Sequence, residues 1–179
     1  ATGKSPVKGE YLLYLGTLQP RKNLDALICA FSLIRSDYPQ LKFVLAGKTG
    51  WLYRPKPEKN IKYLGFVPSA QLPALIKSSV GLVLPSLYEG FGIPVVQAMA
   101  LEVPVLVSRN SSLPEIVADS GLYIESPFDV PRIRDGIVRL LSLTSEQKQT
   151  LIAKAQQRSQ QFTWENAAKA ILGTINGKI

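Results

Sequence analysis

Histidine is absent from this chain of 179 residues. Its absence excludes, within the chain, a serine nucleophile activated by histidine, general base catalysis by imidazole and a metal site with histidine ligands. Binding or catalysis by this chain therefore has to depend on other groups.

Cysteine is nearly absent too, because Cys29 is the only one. A disulfide within the chain is impossible, which is compatible with a reducing cytoplasm. We interpret Cys29 as a core thiol, because it lies among Ala26, Leu27, Ile28 and Ala30. Long apolar runs are lacking as well, since none approaches the roughly twenty residues that span a bilayer. The polar start of the chain does not predict a signal peptide.

Negative charge is the scarcer sign: 13 Asp and Glu residues stand against 21 Lys and Arg, a net charge of +8. Residues 1–90 carry 12 basic and 5 acidic residues, a net of +7, whereas residues 91–179 carry 9 and 8, a net of +1. A basic half is compatible with a nucleic acid, an anionic membrane or a phosphorylated ligand, and also with a merely solvated surface. Apolar content of 46% is typical of a globular protein, and the length fits one domain.

Apolar strands alternate with amphipathic helical stretches along the chain. Strands are predicted at residues 11–15, 41–47, 61–64, 80–84, 103–107 and 122–124. Helices are predicted at about residues 23–36 and 69–77, from Pro94 onward, and two or three times between Pro131 and about Asn176. No hairpin signal interrupts this alternation, so we expect an α/β fold with a Rossmann-like parallel sheet and helices on both faces. In such a sheet, ligands bind beyond the carboxyl ends of the strands.

Residues 85–100 carry the most specific chemistry. They place a loop with one carboxylate, Glu89, and two glycines between a strand and a helix that begins at Pro94. Glycines let a backbone approach a ligand closely, and a helix N-terminus attracts a phosphate or another anion. Glu89 would repel a phosphate but can accept hydrogen bonds from hydroxyls. An anion and a polyol together indicate a nucleotide-sugar.

The same stretch resembles the signature Glu-Gly-Phe-Gly-hydrophobic-Pro-x-x-Glu-Ala-Met-Ala of retaining glycosyltransferases with the GT-B fold, of the group 1 or family four type. The resemblance covers about residues 10–175 and continues through residues 16–23, 45–51, 65–68, 111–115 and 162–165. It implies that residues 10–179 are the nucleotide-sugar-binding C-terminal domain of such an enzyme, one half of a GT-B fold. Residues 1–9 would then be a linker or edge segment, with the N-terminal acceptor domain absent.

The implied reaction transfers a hexose from a UDP- or GDP-linked donor to a polysaccharide or lipid-linked acceptor, with retention at the anomeric carbon and without a metal or cofactor. The acceptor would bind through the missing domain, so we expect this domain alone to bind donor nucleotide but transfer little sugar. The resemblance implies polysaccharide biosynthesis in the cytoplasm. It leaves open a peripheral association of the full-length protein with the inner face of the membrane.

Three residues take catalytic roles by this resemblance. In the family the lysine of the Arg-Lys motif contacts the donor diphosphate, which implies that role for Lys22, with Arg21 beside it. Two cations stabilise the charge that builds on the diphosphate as the sugar–oxygen bond breaks. Glu89 matches the first glutamate of the family's Glu-x7-Glu motif, which contacts the donor sugar. It could also stabilise an oxocarbenium-like transition state.

Further positions are implied as substrate-binding. The loop of four residues that follows Glu89 resembles the one whose backbone N–H groups hold the donor's distal phosphate and hexose; its members are Gly90, Phe91, Gly92 and Ile93. Phe66, Val67 and Leu72 resemble the positions that line the nucleobase site, although ordinary core packing explains them equally well.

Two positions in the implied substrate site depart from the family pattern. Thr17, which follows Gly16 in the first loop, replaces the Arg of many relatives and offers only a hydroxyl, so the diphosphate would depend more on the cations that follow. Gln97 stands eight positions after Glu89, where the family has the second glutamate of its motif, which binds the ribose. We expect Gln97 to face the ligand. An amide there loses about 1 kcal/mol of charge-assisted hydrogen bonding.

Two other functions stay open. A non-catalytic module with a degenerate nucleotide-sugar site would also explain Gln97. A nucleic-acid-binding domain is suggested only by the net charge, and the sequence contains no recognised nucleic-acid motif. We therefore expect no nucleic-acid partner.

Overall fold

Six strands and seven α-helices make up the part of the chain that the computed structural model describes, residues 4–175 and 177. The strands are β1 Tyr11–Leu15, β2 Lys42–Ala46, β3 Ile61–Gly65, β4 Gly81–Leu84, β5 Val105–Ser108 and β6 Leu122–Ile124. The helices are α1 Leu24–Ser32, α2 Leu72–Lys77, α3 Ile93–Ala100, α4 Leu113–Val117, α5 Val130–Leu141, α6 Ser145–Ser159 and α7 Trp164–Ile175. Single turns of 3-10 helix, Pro20–Lys22 and Ser69–Gln71, precede α1 and α2. Asn176, the predicted end of the last helix, lies outside the described residues.

All six strands are parallel and lie in one sheet, in the order β3-β2-β1-β4-β5-β6. The chain runs from β1 outward to β3, returns to β4 on the other side of β1, and then runs outward to β6. The strand order therefore reverses between β1 and β4, and a ligand crevice is expected beyond the carboxyl ends of these two strands. The predicted Rossmann-like parallel sheet is confirmed.

Helices cover both faces of this sheet. The connection from β1 to β2 and that from β4 to β5 run in opposite directions, so right-handed crossovers place α1 and α3 on opposite faces. α1 packs against α5 on one face, and α3 packs against α2 and α6 on the other. The central strands are buried along their whole length as a result. Among the described residues no helix is long and apolar enough to cross a membrane.

Helix α1 corrects two predictions. Cys29 is exposed, so its interpretation as a core thiol is wrong. It follows the buried Leu27 by two positions, about 200° around the helix, and so lies away from the core despite its apolar neighbours. The helix also ends at Ser32, four residues earlier than predicted, because Ile34 N–H donates to the carbonyl of Phe31 (3.2 Å) in a tighter turn.

Val7 is buried in the core, and Ser5 Oγ lies 3.0 Å from the hydroxyl of Tyr11, so these two residues pack against the sheet. The start of β5 differs from the prediction. The strand predicted from residue 103 begins at Val105, because Pro104 has no N–H to donate to the ladder.

Candidate functional site

The loops after β1 and β4 meet at the point where the strand order reverses. Leu87 N–H donates to the carbonyl of Arg21 (2.8 Å), and Arg21 Nη1 donates to the carbonyl of Tyr88 (2.8 Å). The side-chain amide of Asn23 donates to the carbonyl of Pro85 (3.2 Å). These bonds tie the two loops together, so the residues that they carry keep fixed positions relative to each other.

A buried ion pair crosses this junction. Lys22 Nζ lies 2.5 Å from Glu89 Oε1, and the two side chains are only 9% and 7% exposed. Ser86 Oγ donates to the same carboxylate oxygen (2.6 Å), and Arg21 Nη1 lies 3.6 Å from Glu89 Oε2. The structure therefore brings together all three residues to which the resemblance gave catalytic roles.

The electrostatics of this pair are set by burial. Desolvation lowers the pKa of the Lys22 ammonium, and the hydrogen bond and negative charge of Glu89 oppose that shift. The neighbouring cation Arg21 lowers this pKa further. Two cations thus face one carboxylate, and the cluster keeps a net positive charge that suits an anionic ligand. No cluster of three or more Asp, Glu, Cys or His side chains that could hold a metal ion occurs among residues 4–175 and 177.

The loop after Glu89 leads into α3 through a left-handed glycine. Gly92 has φ +99° and precedes the first residue of the helix, and a Cβ there would lie 3.0 Å from Leu113 Cδ2. Gly90 has open space around its Cα, and the side chains of Phe91 and Ile93 are exposed. The positive end of α3 therefore begins directly after a partly exposed loop, an arrangement that favours an anionic ligand.

The first loop is packed closely against the loop after β2. A Cβ on Gly47, where φ is +149°, would lie 1.9 Å from the carbonyl oxygen of Gly16. Thr17 is exposed, and its carbonyl accepts a hydrogen bond from the buried hydroxyl of Tyr14 (3.0 Å), whose pKa is raised by burial. Gly50 N–H also donates to the carbonyl of Leu18 (2.8 Å). Gly16 and Thr17 thus follow the carboxyl end of β1, where the crevice is expected, on a rigid support.

The three candidate nucleobase residues have different surroundings. Val67 is buried in the core, and Leu72 is half-buried against it. Phe66 is 65% exposed, and Lys48 Nζ lies 5.1 Å from the centroid of its ring. Of these three residues, Phe66 alone offers an open aromatic face.

Gln97 lies in a groove between α3 and α7, together with Phe91 and Ile93. The groove has a volume of about 730 Å³, and its far side includes Phe162, whose ring meets that of Phe91 edge to face with centroids 5.7 Å apart. Gln97 is exposed and makes no side-chain hydrogen bond with the described residues. The structure therefore places Gln97 in one groove with Phe91 and Ile93 of the loop that follows Glu89.

Four polar residues without a role in the sequence interpretation support the Glu89 loop: Ser86, Asn110, Ser111 and Ser112. The Asn110 amide donates to the carbonyls of Ser86 (3.3 Å) and Leu87 (3.2 Å). Three of the four directly follow β5, and Ser111 and Ser112 lie in residues 111–115, which the resemblance already covered. Their position after a strand was the signal that could have identified them.

A known family and known proteins match this chain in sequence. Residues 2–158 match the model of the family described as glycosyl transferases group 1. The chain is 39% identical over 168 residues to O-antigen chain mannosyltransferase B of Escherichia coli, a match that covers 87% of this chain and 43% of that protein. It is 28% identical over 191 residues to D-inositol 3-phosphate glycosyltransferase of Jonesia denitrificans, covering 96% and 44%. The chain thus spans less than half the length of these relatives.

Solved structures share the fold. Sucrose-phosphate synthase of Thermosynechococcus elongatus superposes with a TM-score of 0.76 at 25% identity, covering 93% of this chain and 45% of that one. The Anabaena protein HepE, crystallised with UDP and glucose, superposes with a TM-score of 0.78 at 22% identity, covering 93% and 48%. The six-stranded sheet and its helices therefore recur as about half of larger proteins.

Proposed function

Because this chain belongs to the group 1 glycosyl transferases, we propose that it is the donor-binding domain of a retaining enzyme that transfers a hexose from a nucleotide-diphospho-sugar to a polysaccharide or lipid-linked acceptor. The observation that carries the proposal is the Lys22–Glu89 pair, which stands with Arg21 at the reversal of the strand order. The mannosyltransferase among the relatives makes mannose the first hexose to test.

The cations act on the leaving diphosphate. An ammonium has three N–H donors, so Lys22 can keep Glu89 on one and offer the others to phosphate oxygens, with Arg21 beside it. The N-terminus of α3 and the N–H groups of the loop from Gly90 to Ile93 add partial positive charge. Both stabilise charge that grows on the diphosphate in the transition state.

In the transfer itself, the bond between the anomeric carbon and the diphosphate oxygen breaks, and its electron pair stays on the diphosphate. The acceptor hydroxyl oxygen bonds to the anomeric carbon on the same face, and its proton passes to the departing phosphate. Glu89 accepts hydrogen bonds from donor hydroxyls and stabilises positive charge on the sugar ring. In the described part of the chain no other carboxylate is within ion-pair distance of Lys22, which supports giving this role to Glu89 alone.

Calorimetric titration with UDP and GDP tests the donor site. We expect one of the two nucleotides to bind, and Lys22→Ala to weaken its binding at least tenfold, because a charge-assisted phosphate contact is lost. Lys154→Ala, which removes an exposed lysine paired with Asp119 on another surface, is the matched control. Equal losses in the two variants, or no binding of either nucleotide, would contradict the proposal.

A non-catalytic module with a degenerate site is the second candidate, and the exposed, unpaired amide of Gln97 in the described structure favours it. Gln97→Glu separates the two candidates. A rise in donor affinity of tenfold or more would support a decayed site, because the charge-assisted ribose contact returns. An unchanged affinity would support an enzyme adapted to the amide.

We also propose that the acceptor binds to a further domain. The chain spans 43% of the mannosyltransferase relative, and α7 exposes apolar side chains that a further domain would cover: Trp164, Ile171, Leu172 and Ile175. This chain alone should therefore bind donor and transfer little sugar. Donor-dependent transfer to an added oligosaccharide at an ordinary enzymatic rate would contradict this assignment.

Finally, we propose that the protein associates with the inner face of an anionic membrane through the loop between β2 and β3. Trp51 and Leu52 are 60% and 84% exposed at one end of this loop. Five exposed cations lie in this loop, on both sides of Trp51 and Leu52, and at the start of β3; they are here named the basic strip: Lys48, Arg54, Lys56, Lys59 and Lys62. None of the five forms an ion pair with a described carboxylate. An indole and a leucine beside unpaired cations suit the interface of an anionic bilayer.

A further inference from the structure

Glu89 is held by its surroundings at every polar group but one. Its N–H donates to Ser111 Oγ (3.0 Å), and its carbonyl accepts from Ser112 Oγ (3.1 Å). Its Oε1 accepts from both Lys22 Nζ (2.5 Å) and Ser86 Oγ (2.6 Å). The exception is Oε2.

The second carboxylate oxygen is open to a new partner. Arg21 Nη1 lies 3.6 Å from Oε2, beyond hydrogen-bond distance, and already donates to the carbonyl of Tyr88 at 2.8 Å. A carboxylate oxygen can accept two hydrogen bonds. Oε1 therefore already accepts two hydrogen bonds, whereas Oε2 accepts none from the described residues, although both belong to one buried side chain.

We propose that Ser86, Ser111 and Ser112 are positioning residues that present Glu89 Oε2 to a hydroxyl of the donor sugar. This inference rests on the proposed donor-binding function and assigns roles to three residues outside the Glu-x7-Glu and Arg-Lys motifs. Ser86 fixes the rotation of the carboxylate by occupying Oε1 together with Lys22. Ser111 and Ser112 fix the peptide on either side of the Glu89 Cα.

Burial and backbone geometry support this assignment. Ser86 is fully buried, so the hydroxyl that donates to Glu89 has no competing water. Ser111 has φ +48°, a left-handed conformation that a non-glycine residue adopts at a cost, and in that conformation its Oγ accepts from Glu89 N–H. The single hydrogen of the Ser112 hydroxyl is shared between the carbonyls of Glu89 and Phe91, both 3.1 Å from Oγ, so the bracing extends to the glycine loop.

The test compares two ligands that differ only in the sugar. Affinities for GDP and GDP-mannose, and for UDP and UDP-glucose, are measured by calorimetry on the unmodified chain and on variants. We expect Ser86→Ala to lower affinity for the nucleotide-sugar at least fivefold relative to the matching nucleotide, because Glu89 can then rotate. Ser120→Ala is the matched control, since Ser120 is equally buried and donates to the carbonyl of Val117 away from the crevice.

A structural defect would give a different result from lost positioning. If Ser86→Ala weakens the binding of nucleotide and nucleotide-sugar equally, or weakens neither, the inference is overturned and the proposed donor site still stands. If Ser86→Ala does not fold, Ser112→Ala and Ser112→Thr decide the question. Ser112→Ala should lower the affinity for the nucleotide-sugar relative to that for the matching nucleotide. Ser112→Thr, which keeps the hydroxyl, should restore this relative affinity. The same relative affinity in both variants would overturn the inference. Failure of the unmodified chain to bind any of the four ligands would instead contradict the proposed function.

Discussion

At the scale of single residues, the buried Lys22–Glu89 pair carries a cost in stability. Both charges are removed from water, and each depends on the other and on Ser86 for compensation. The pair is therefore poor evidence of a stable fold and good evidence of a functional site.

The two members of this pair should be energetically coupled, so that removing both costs less than the two separate removals add up to. We expect Lys22→Met to lower the free energy of unfolding by about 3–5 kcal/mol, because it leaves the Glu89 carboxylate buried without its main cation. The double variant Lys22→Met with Glu89→Gln should lose clearly less than the sum of the two single losses. Urea denaturation measures all three.

The control is Lys169→Met, which breaks an exposed pair with Glu165 on α7 and should cost at most about 0.5 kcal/mol. Additive losses at Lys22 and Glu89 would show that the two residues are not coupled.

Buried tyrosines should limit stability in alkali. Burial raises the pKa values of Tyr11, Tyr14, Tyr53 and Tyr123 in the folded chain. Unfolded tyrosines lose their protons near pH 10, so the stability that these groups contribute is present below pH 10 and is lost above it. Each can cost up to about 1.4 kcal/mol per pH unit there. Lys22 contributes a pH dependence of the opposite sign, because its lowered pKa makes stability rise with pH up to about 10.5. This single group opposes the four tyrosines named above.

The variant Tyr53→Phe tests this dependence. Among the described residues the Tyr53 hydroxyl has one long contact, with that of Tyr63 (3.5 Å), so its loss should change stability little at pH 8. Between pH 10 and 11 the variant should lose stability more slowly than the unmodified chain. Urea denaturation across pH 8–11 compares the two slopes, and identical slopes would rule out a contribution from Tyr53.

At the scale of elements, the strands could be predicted from sequence because each is a short apolar run between turn residues, and β6 was located to the residue. The end of α1 and the side chain of Cys29 were misplaced for a different reason. Apolar neighbours in sequence do not place a side chain in the core: Cys29 lies about 200° around the helix from the buried Leu27, and α1 ends where the tighter turn between Phe31 and Ile34 begins. The support of Glu89 by Ser111 and Ser112 also escaped prediction, since it joins loops after different strands.

The close approach of the loops after β1 and β2 should be intolerant of a side chain. Gly47→Ala would place a methyl group 1.9 Å from the Gly16 carbonyl oxygen, at a positive φ, so the loops would have to separate. We expect a loss of about 3 kcal/mol or more in the free energy of unfolding, at the upper end of overpacking costs. Thermal and urea denaturation measure it. Gly90→Ala is the control, because no atom lies within 4 Å of the added methyl, and a similar loss in both variants would contradict the steric explanation.

At the scale of the whole molecule, the positive charge is unevenly placed, and the basic strip follows an edge of the sheet. Strand β3 is that edge, and the strip leads into it. Lysines and prolines at an edge strand also prevent sheets from pairing with one another, so protection of the edge is the competing explanation. The exposed Trp51 and Leu52 are not required for such protection, and they favour the membrane surface.

Membrane binding separates these two explanations. The chain should sediment with vesicles of phosphatidylcholine and phosphatidylserine but not with phosphatidylcholine alone, and 0.5 M salt should release it because the attraction is screened. Replacing Arg54, Lys56 and Lys59 by Ser should weaken binding about 100-fold, since each cation contributes about 1 kcal/mol near an anionic surface. Trp51→Ser should weaken vesicle binding further at constant charge.

The control replaces Lys148, Lys154 and Lys169, on α6 and α7, which matches the loss of charge and should have little effect on vesicle binding. Equal losses in the two triple variants would show that net charge alone attracts the vesicles. Aggregation of the first variant without any change in vesicle binding would identify the strip as protection of the sheet edge.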